Sequence, residues 1–426
     1  MDQGSEGWGN RAATRTAPRA WRGGACLGPV TAALLVLATF AWTCRAQEIG
    51  PEAWPTRFTV CGERGVIRAI EGPIGDWIVI RVRAPGLRPS RQDLADADAI
   101  LQHCGDEPPG VRFEDEGGMF VRFQPPADGA DVGPGAPISA FVFVSAVHSD
   151  EPEPTLALQR TWFALYSPVE PARDPRGVVL LVPGMFGTPE TVAEAMVQTL
   201  RHAGWHVLRM LTQPSRFTER RVFTIDPNAD PEPSAREVAH ILGDRAAECA
   251  FAVQAAFAHV ERADPRLAAL PRAAIGMSGG AMAMPTILAL EPERYSACVL
   301  VAGGADFWAV AALSNYADWI DAVRVEWIGG PPHRAAIDRF AEAYRAVAPL
   351  DNVNTAPVAR SIPTLMIHGT RDRAVPSDLG DLLWERLGRP ERWSAPMGHE
   401  MLFFVYLPRR SADLVDWLDR VTGGTP

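Results

Sequence analysis

The sequence contains no lysine: all 41 basic residues are arginine. That absence excludes Schiff-base chemistry, the phosphate-binding loop lysine and a serine–lysine dyad. Cysteine is sparse at six residues, none in a CxxC or Cys/His pattern, and there is no HExxH, so neither zinc nor another metal is expected. Excess positive charge is lacking too. The formal charge of −10 argues against nucleic acid as a partner. What remains is a chain of 426 residues, 47% hydrophobic and 22% charged, with no internal repeat. It can bury a full core, and its length allows two to three domains.

The first 46 residues read as a targeting segment. Arg11, Arg15, Arg19 and Arg22 precede the apolar stretch Leu27 to Trp42, which is short for a membrane span and is followed by "TCRAQ". Cleavage near Ala46 would release an exported protein, periplasmic or secreted. An uncleaved anchor, or a lipid on Cys44, is the alternative, although Thr43 is a poor residue before a lipidated cysteine. Membrane contact is expected only if this segment is retained. In an exported chain Cys61 and Cys104 could form a disulfide. Cys298, in "SACVLVAGG", reads as a core thiol.

Residues 47–168 form a β-rich N-terminal region. "WIVIRVRA", "MFVRFQP", "ISAFVFVSAV" and "TWFALYSPV" are short apolar or alternating runs between turn-rich segments. The acidic stretches "FEDEGG" and "SDEPEP" read as solvated loops. Residues 169–426 change character. "GVVLLVPG", "WHVLRML", "RAAIGM", "ACVLVAGG" and "PTLMIHG" are strand-like and alternate with helical segments, the pattern of a mostly parallel, doubly wound α/β sheet. The longest helical segment is expected to begin near Ser234 as N-cap, with Glu237 three residues on. Residues 306–361 are too long for a simple connection and read as helical, either a lid over a pocket or an extra packing pair. Their aromatics, Phe307, Trp308, Trp319 and Trp327, serve as pocket lining or as packing.

The chemistry centres on "GMSGG". Gly276-x-Ser278-x-Gly280 follows a strand-like run and precedes a helix-like one, the context in which a serine is lifted onto a sharp turn. The pattern alone would occur by chance about 0.1–0.2 times in such a chain, so partners are needed. A serine hydroxyl needs a base to take its proton, and the base needs an orienting acid. Asp372 follows the strand-like Leu365–Ile367, with Asp378 and Asp381 as competitors in the helix-like segment beyond. His399 is the one histidine after Asp372, between strand-like Arg392–Ala395 and the C-terminal helix. His368, at a strand end, reads as structural.

From about Gly177 onward, "VPGMFG", "GMSGG", "HGTRDRAVP" and "MGHE" in this order resemble an α/β-hydrolase of the esterase/lipase or prolyl-oligopeptidase-like kind. The resemblance implies that Ser278 attacks an acyl carbon, His399 acts as general base and then acid, and Asp372 holds the imidazole. It implies no cofactor and a small-molecule ester or acyl substrate. A His-Gly pair is common where this chain has Pro183-Gly184; the backbone donor there is what matters. The oxyanion hole is expected from the amide of Gly279 and that of Met185, with Phe186 as the substitute. Cleavage of carboxylic esters leads. A prolyl-oligopeptidase-like peptidase, or a binding protein on a hydrolase fold, is the alternative. Oligomeric state is not legible.

Overall fold

The computed structural model describes residues 155–170, 175–185, 190–211, 220–316, 322–330 and 332–423, with 49, 53–54, 66–69, 81–83 and 139–148. The targeting segment, the Cys61–Cys104 pair, "MFVRFQP", both acidic stretches, Phe186 and Trp319 lie outside these residues.

The described strands are β1 (Val66–Ala69), β2 (Arg81–Arg83), β3 (Ser139–His148), β4 (Thr155–Tyr166), β5 (Gly177–Val182), β6 (Trp205–Met210), β7 (Arg221–Ile225), β8 (Arg272–Met277), β9 (Ala297–Val301), β10 (Val323–Trp327), β11 (Thr364–Gly369) and β12 (Glu391–Ala395). The main helices are α1 (Glu190–His202), α2 (Glu232–Ala263), α3 (Gly279–Leu290), α4 (Phe307–Leu313), α5 (Arg334–Val347), α6 (Ser377–Arg386) and α7 (Ser411–Thr422). One ten-stranded sheet runs β1-β3-β4-β6-β5-β8-β9-β11-β12, with β2 against β4. From β6 to β12 every neighbour is parallel. β4 joins β6 antiparallel, so the early strands extend the same sheet.

The central strands are apolar throughout because both sheet faces are covered. Along β5, Val178, Leu180 and Val182 point into a core shared with α2 and α3 residues such as Phe257 and Ile287. Val179 and Leu181 point into the opposite core, against Met196 and Leu200 of α1 and Trp417 of α7. The same parity holds on β9, with Cys298 and Leu300 on one face and Val299 and Val301 on the other. This is the α/β-hydrolase fold that the motifs implied. Cys298 is fully buried, as expected, and burial pushes its thiol well above the usual range.

Two expectations need correction. The long helix begins at Glu232, not at Ser234, and Pro231 at the cap position makes no side-chain cap hydrogen bond. Two prolines fix the start: Pro231 precedes Glu232 and Pro233 sits in the first turn, where a missing N–H costs nothing. The Asp230 carboxylate accepts the Glu232 N–H instead. The segment 306–361 is also not wholly helical. "VRVEW" forms β10, paired parallel with β7 in a separate two-stranded sheet. Its β-branched alternation, buried Val323 and outward Arg324, suits a strand with one covered face.

This segment has its own apolar cluster. Phe340 and Tyr344 of α5 and Trp308 of α4 meet Val238 and Leu242 on the N-terminal half of α2. Trp308 and Trp327 both pack against Phe340, so they serve packing. Beneath lies a buried polar knot. Asp351 accepts hydrogen bonds from Tyr344 Oη at 2.6 Å and from the N–H of Phe307 at 2.8 Å. Asp306, at φ 71°, caps α4 through the Ala309 N–H and pairs with Arg345 at 2.6 Å. Among the described residues no helix is long and apolar enough to cross a membrane.

Burial, and then the charge of Asp351, raise the Asp306 pKa to about 7. The folded state therefore holds this proton more tightly than the unfolded chain. Its contribution to stability falls as pH rises from the ordinary carboxylate range to about 7. Urea denaturation at pH 4.5 and 7.5 should show wild type losing stability relative to Asp306→Asn by about 1 kcal/mol or more on going to the higher pH. A difference that is flat or grows would contradict this.

Candidate active site

Ser278 stands between β8 and α3 at φ 52° and ψ −117°, a backbone conformation rare for a residue with a Cβ. Its own N–H donates to Val301 O on β9 at 2.8 Å, and its carbonyl accepts from Met282 N at 3.0 Å. The reversal is so tight that a Cβ on Gly276 would sit 2.6 Å from Gly280 O and 2.7 Å from Ala281 Cα. A Cβ on Gly280 would run into the carbonyl oxygens of Val182 and Pro183 at the end of β5. Both glycines are thus required by close approach.

His399 and Asp372 converge on this serine from the ends of β12 and β11. His399 Nε2 lies 2.9 Å from Ser278 Oγ, and His399 Nδ1 lies 2.7 Å from Asp372 Oδ2. The carboxylate keeps the proton on Nδ1, which leaves the Nε2 lone pair to accept the serine hydroxyl. The other Asp372 oxygen accepts the N–H groups of Ala374 at 2.9 Å and Val375 at 3.0 Å. Asp372 is 5% exposed and His399 9%. The imidazole edge meets the rings of Phe403 at 5.1 Å and Tyr316 at 5.9 Å.

The acid and base loops are tied to each other. Thr370 N donates to Ala395 O at 2.9 Å, and Arg371 N to Met397 O at 3.2 Å. Gly369 permits this: a Cβ there would sit 2.7 Å from Met397 O. Asp378 and Asp381 lie on α6, the former partnering Arg334 and the latter Arg392, away from the imidazole. His368 is a buried ring against Gly380; burial, with Arg392 nearby, lowers its pKa to about 4. It is a neutral packing residue.

Gly279 opens α3, and the position of a Cβ on it lies 2.9 Å from Met185 N. The two backbones expected to supply oxyanion donors are therefore adjacent, at the ends of β8 and β5. Met185, Gly279 and Ser278 border a cleft that, counted out to its solvent-open mouth, spans about 780 Å³. Its walls are mainly apolar, including Leu242, Met282, Phe307 and Val310. Phe307 thus serves as lining. Two lining residues had no sequence signal. Tyr316 follows the α4 segment as an ordinary aromatic, and Arg245 sits mid-helix in α2 among alanines.

Chemically, the arrangement holds a hydroxyl against an imidazole that a carboxylate orients, with the backbones of Gly279 and Met185 beside it. It can transfer an acyl group without a cofactor.

Residues 252–423 match the prolyl oligopeptidase family. No curated protein matches the chain. Among solved structures the chain is similar to the Pyrococcus furiosus esterase Pf2001, at 14% identity and TM-score 0.39 over 66% of this chain and 93% of that one. It is also similar to the Pyrococcus horikoshii acylaminoacyl peptidase, at 14% identity and TM-score 0.42 over 74% of this chain and 50% of that one. Est1E from Butyrivibrio proteoclasticus is similar at 13% identity and TM-score 0.41, over 65% and 99%.

Replacing Gly276 by alanine should cost about 1–3 kcal/mol through overpacking and displace Ser278. Urea denaturation and reaction with a fluorophosphonate measure the two effects. A variant as stable and as reactive as wild type would show that the turn does not depend on the contact.

Proposed function

We propose that this serine hydrolase of the α/β-hydrolase type cleaves carboxylic esters through an acyl-enzyme. The observation that carries the reading is the Ser278–His399–Asp372 chain of hydrogen bonds opening onto a mainly apolar cleft. Ser278 Oγ attacks the ester carbon as its proton passes to His399 Nε2. The oxyanion is held by the amides of Gly279 and Met185. His399 then protonates the departing alcohol. Water, deprotonated by the same nitrogen, attacks the acyl-enzyme, and the carboxylic acid leaves with Ser278 restored. Asp372 stabilises the imidazolium in both halves. No cofactor takes part.

An apolar cleft suits an ester better than a peptide, whose backbone N–H and C=O groups would need partners on the walls. The match of residues 252–423 favours a second reading, a peptidase acting with the same residues. The N-terminal arginines and apolar run support an exported location, with an anchored protein as the alternative. The acidic balance supports a small-molecule substrate over nucleic acid.

Intact mass after fluorophosphonate treatment should show one adduct on wild type and none on Ser278→Ala. His399→Ala should slow labelling by about 10²–10⁴-fold. Simple esters should then turn over well ahead of peptide amides. Faster amide cleavage would transfer the assignment to the peptidase reading, and a folded wild type that never labels would remove both.

A further inference from the structure

The carboxylate of Asp372 is held from outside its own loop. Its Oδ1 accepts the N–H groups of Ala374 at 2.9 Å and Val375 at 3.0 Å. Those N–H groups belong to the peptide units 373–374 and 374–375, whose carbonyls are those of Arg373 and Ala374. In a trans peptide the carbonyl points away from the N–H of the same planar unit. Both carbonyls are taken by consecutive residues just beyond α4. Asn315 N donates to Arg373 O at 3.0 Å, and Ser314 Oγ donates to Ala374 O at 2.6 Å. Each peptide unit is therefore bonded at one end to residues 314–315 and at the other to Asp372.

A peptide group bonded at both ends has its plane fixed, and its donor is strengthened by polarisation. The first half of the acid loop is tied to the base loop through Thr370 and Arg371. Residues 314–315 hold the second half. The Ser314 hydroxyl plays no part in ending α4, which is capped by the Ser314 N–H on Val310 O. It accepts the Tyr316 N–H at 3.0 Å, so its one proton is left for Ala374 O. Tyr316 in turn sets its ring against His399 at 5.9 Å, and Ser314, Tyr316, Ala374 and Val375 all border the cleft. We propose that Ser314 is a positioning residue for the catalytic acid. With the Asn315 amide it sets the two peptide groups that aim Asp372 at His399, which makes the 306–361 segment a working part of the triad as well as a wall of the cleft. This assignment rests on Ser278, His399 and Asp372 being the catalytic set.

The test measures fluorophosphonate labelling of Ser278 in the full chain, with turnover of 4-nitrophenyl butyrate alongside. Ser314→Ala should slow labelling by about 3- to 10-fold, the span of one neutral hydrogen bond. Ser314→Thr, which keeps the hydroxyl, should label close to the wild-type rate. The loss in ester turnover should fall on kcat and leave KM unchanged. The decisive comparison is made in Asp372→Ala, measured with excess probe. There labelling is slower, and adding Ser314→Ala should have no further effect, because the group it acts through is gone. The same loss in both backgrounds overturns the proposal, since the hydroxyl would then act on the cleft wall or the nucleophile. A threonine variant as slow as the alanine one overturns it as well. If Ser314→Ala does not fold, Asn315→Pro removes the other donor and decides by the same comparison; Ser314, at φ −63° and ψ 136°, already has the backbone that precedes a proline readily. Wild type and Ser314→Ala labelling at equal rates sinks the positioning role and spares the nucleophile. A folded wild type that never labels sinks both.

Discussion

The site depends on one crowded reversal of the backbone. Ser278 occupies a left-handed conformation that costs on the order of 1–3 kcal/mol for a side chain bearing a Cβ, and it stays there because its surroundings leave no alternative. β8 is held between β5 and β9, its last N–H bonds are taken by the neighbouring strand, and α3 starts at once, with Gly280 pressed on the end of β5. The serine is raised from the sheet edge by that compression. Every other distance at the site is measured from it.

The imidazole and carboxylate reach the serine because the sheet is stiff and their loops are joined. Strands buried on both faces have little freedom to shift, since each side chain is packed into one of two cores. Loops at their carboxyl ends inherit that rigidity. The contact of Gly369 with Met397 and the hydrogen bonds between the two loops then make Asp372 and His399 a single unit. The carboxylate is held by two backbone amides on one oxygen, so its second oxygen is aimed at the imidazole.

The cleft's outer wall is assembled separately. α4, α5 and β10 pack with the N-terminal half of α2 into their own apolar cluster, and Asp306 and Asp351 tie that cluster down through buried hydrogen bonds. Two carboxylates are an expensive way to anchor a helix, yet they specify its start at Phe307, which lines the cleft. Phe307 and Leu242, which line the cleft, thus also belong to the cluster that holds the insertion in place.

Much of this was legible along the chain. Continuous apolar runs marked the buried strands, and the glycine-flanked serine, the acid after one strand and the last histidine lay in the order the chemistry needs. Those signals are local: strand periodicity, turn residues and the spacing of motifs. Other features depend on contacts between residues distant in sequence. β10 exists because β7, about a hundred residues earlier, offers it an edge. The start of α2 is set by proline geometry, which outweighs the preference of a serine for a cap. The polar knot joins Asp306 to residues in the 340s and 350s. Arg245, one arginine among 41 basic residues in a polar-and-alanine helix, had nothing in its neighbours to mark it. Its place against the cleft comes from how α2 packs beneath α4 and α3, and only the folded chain decides that.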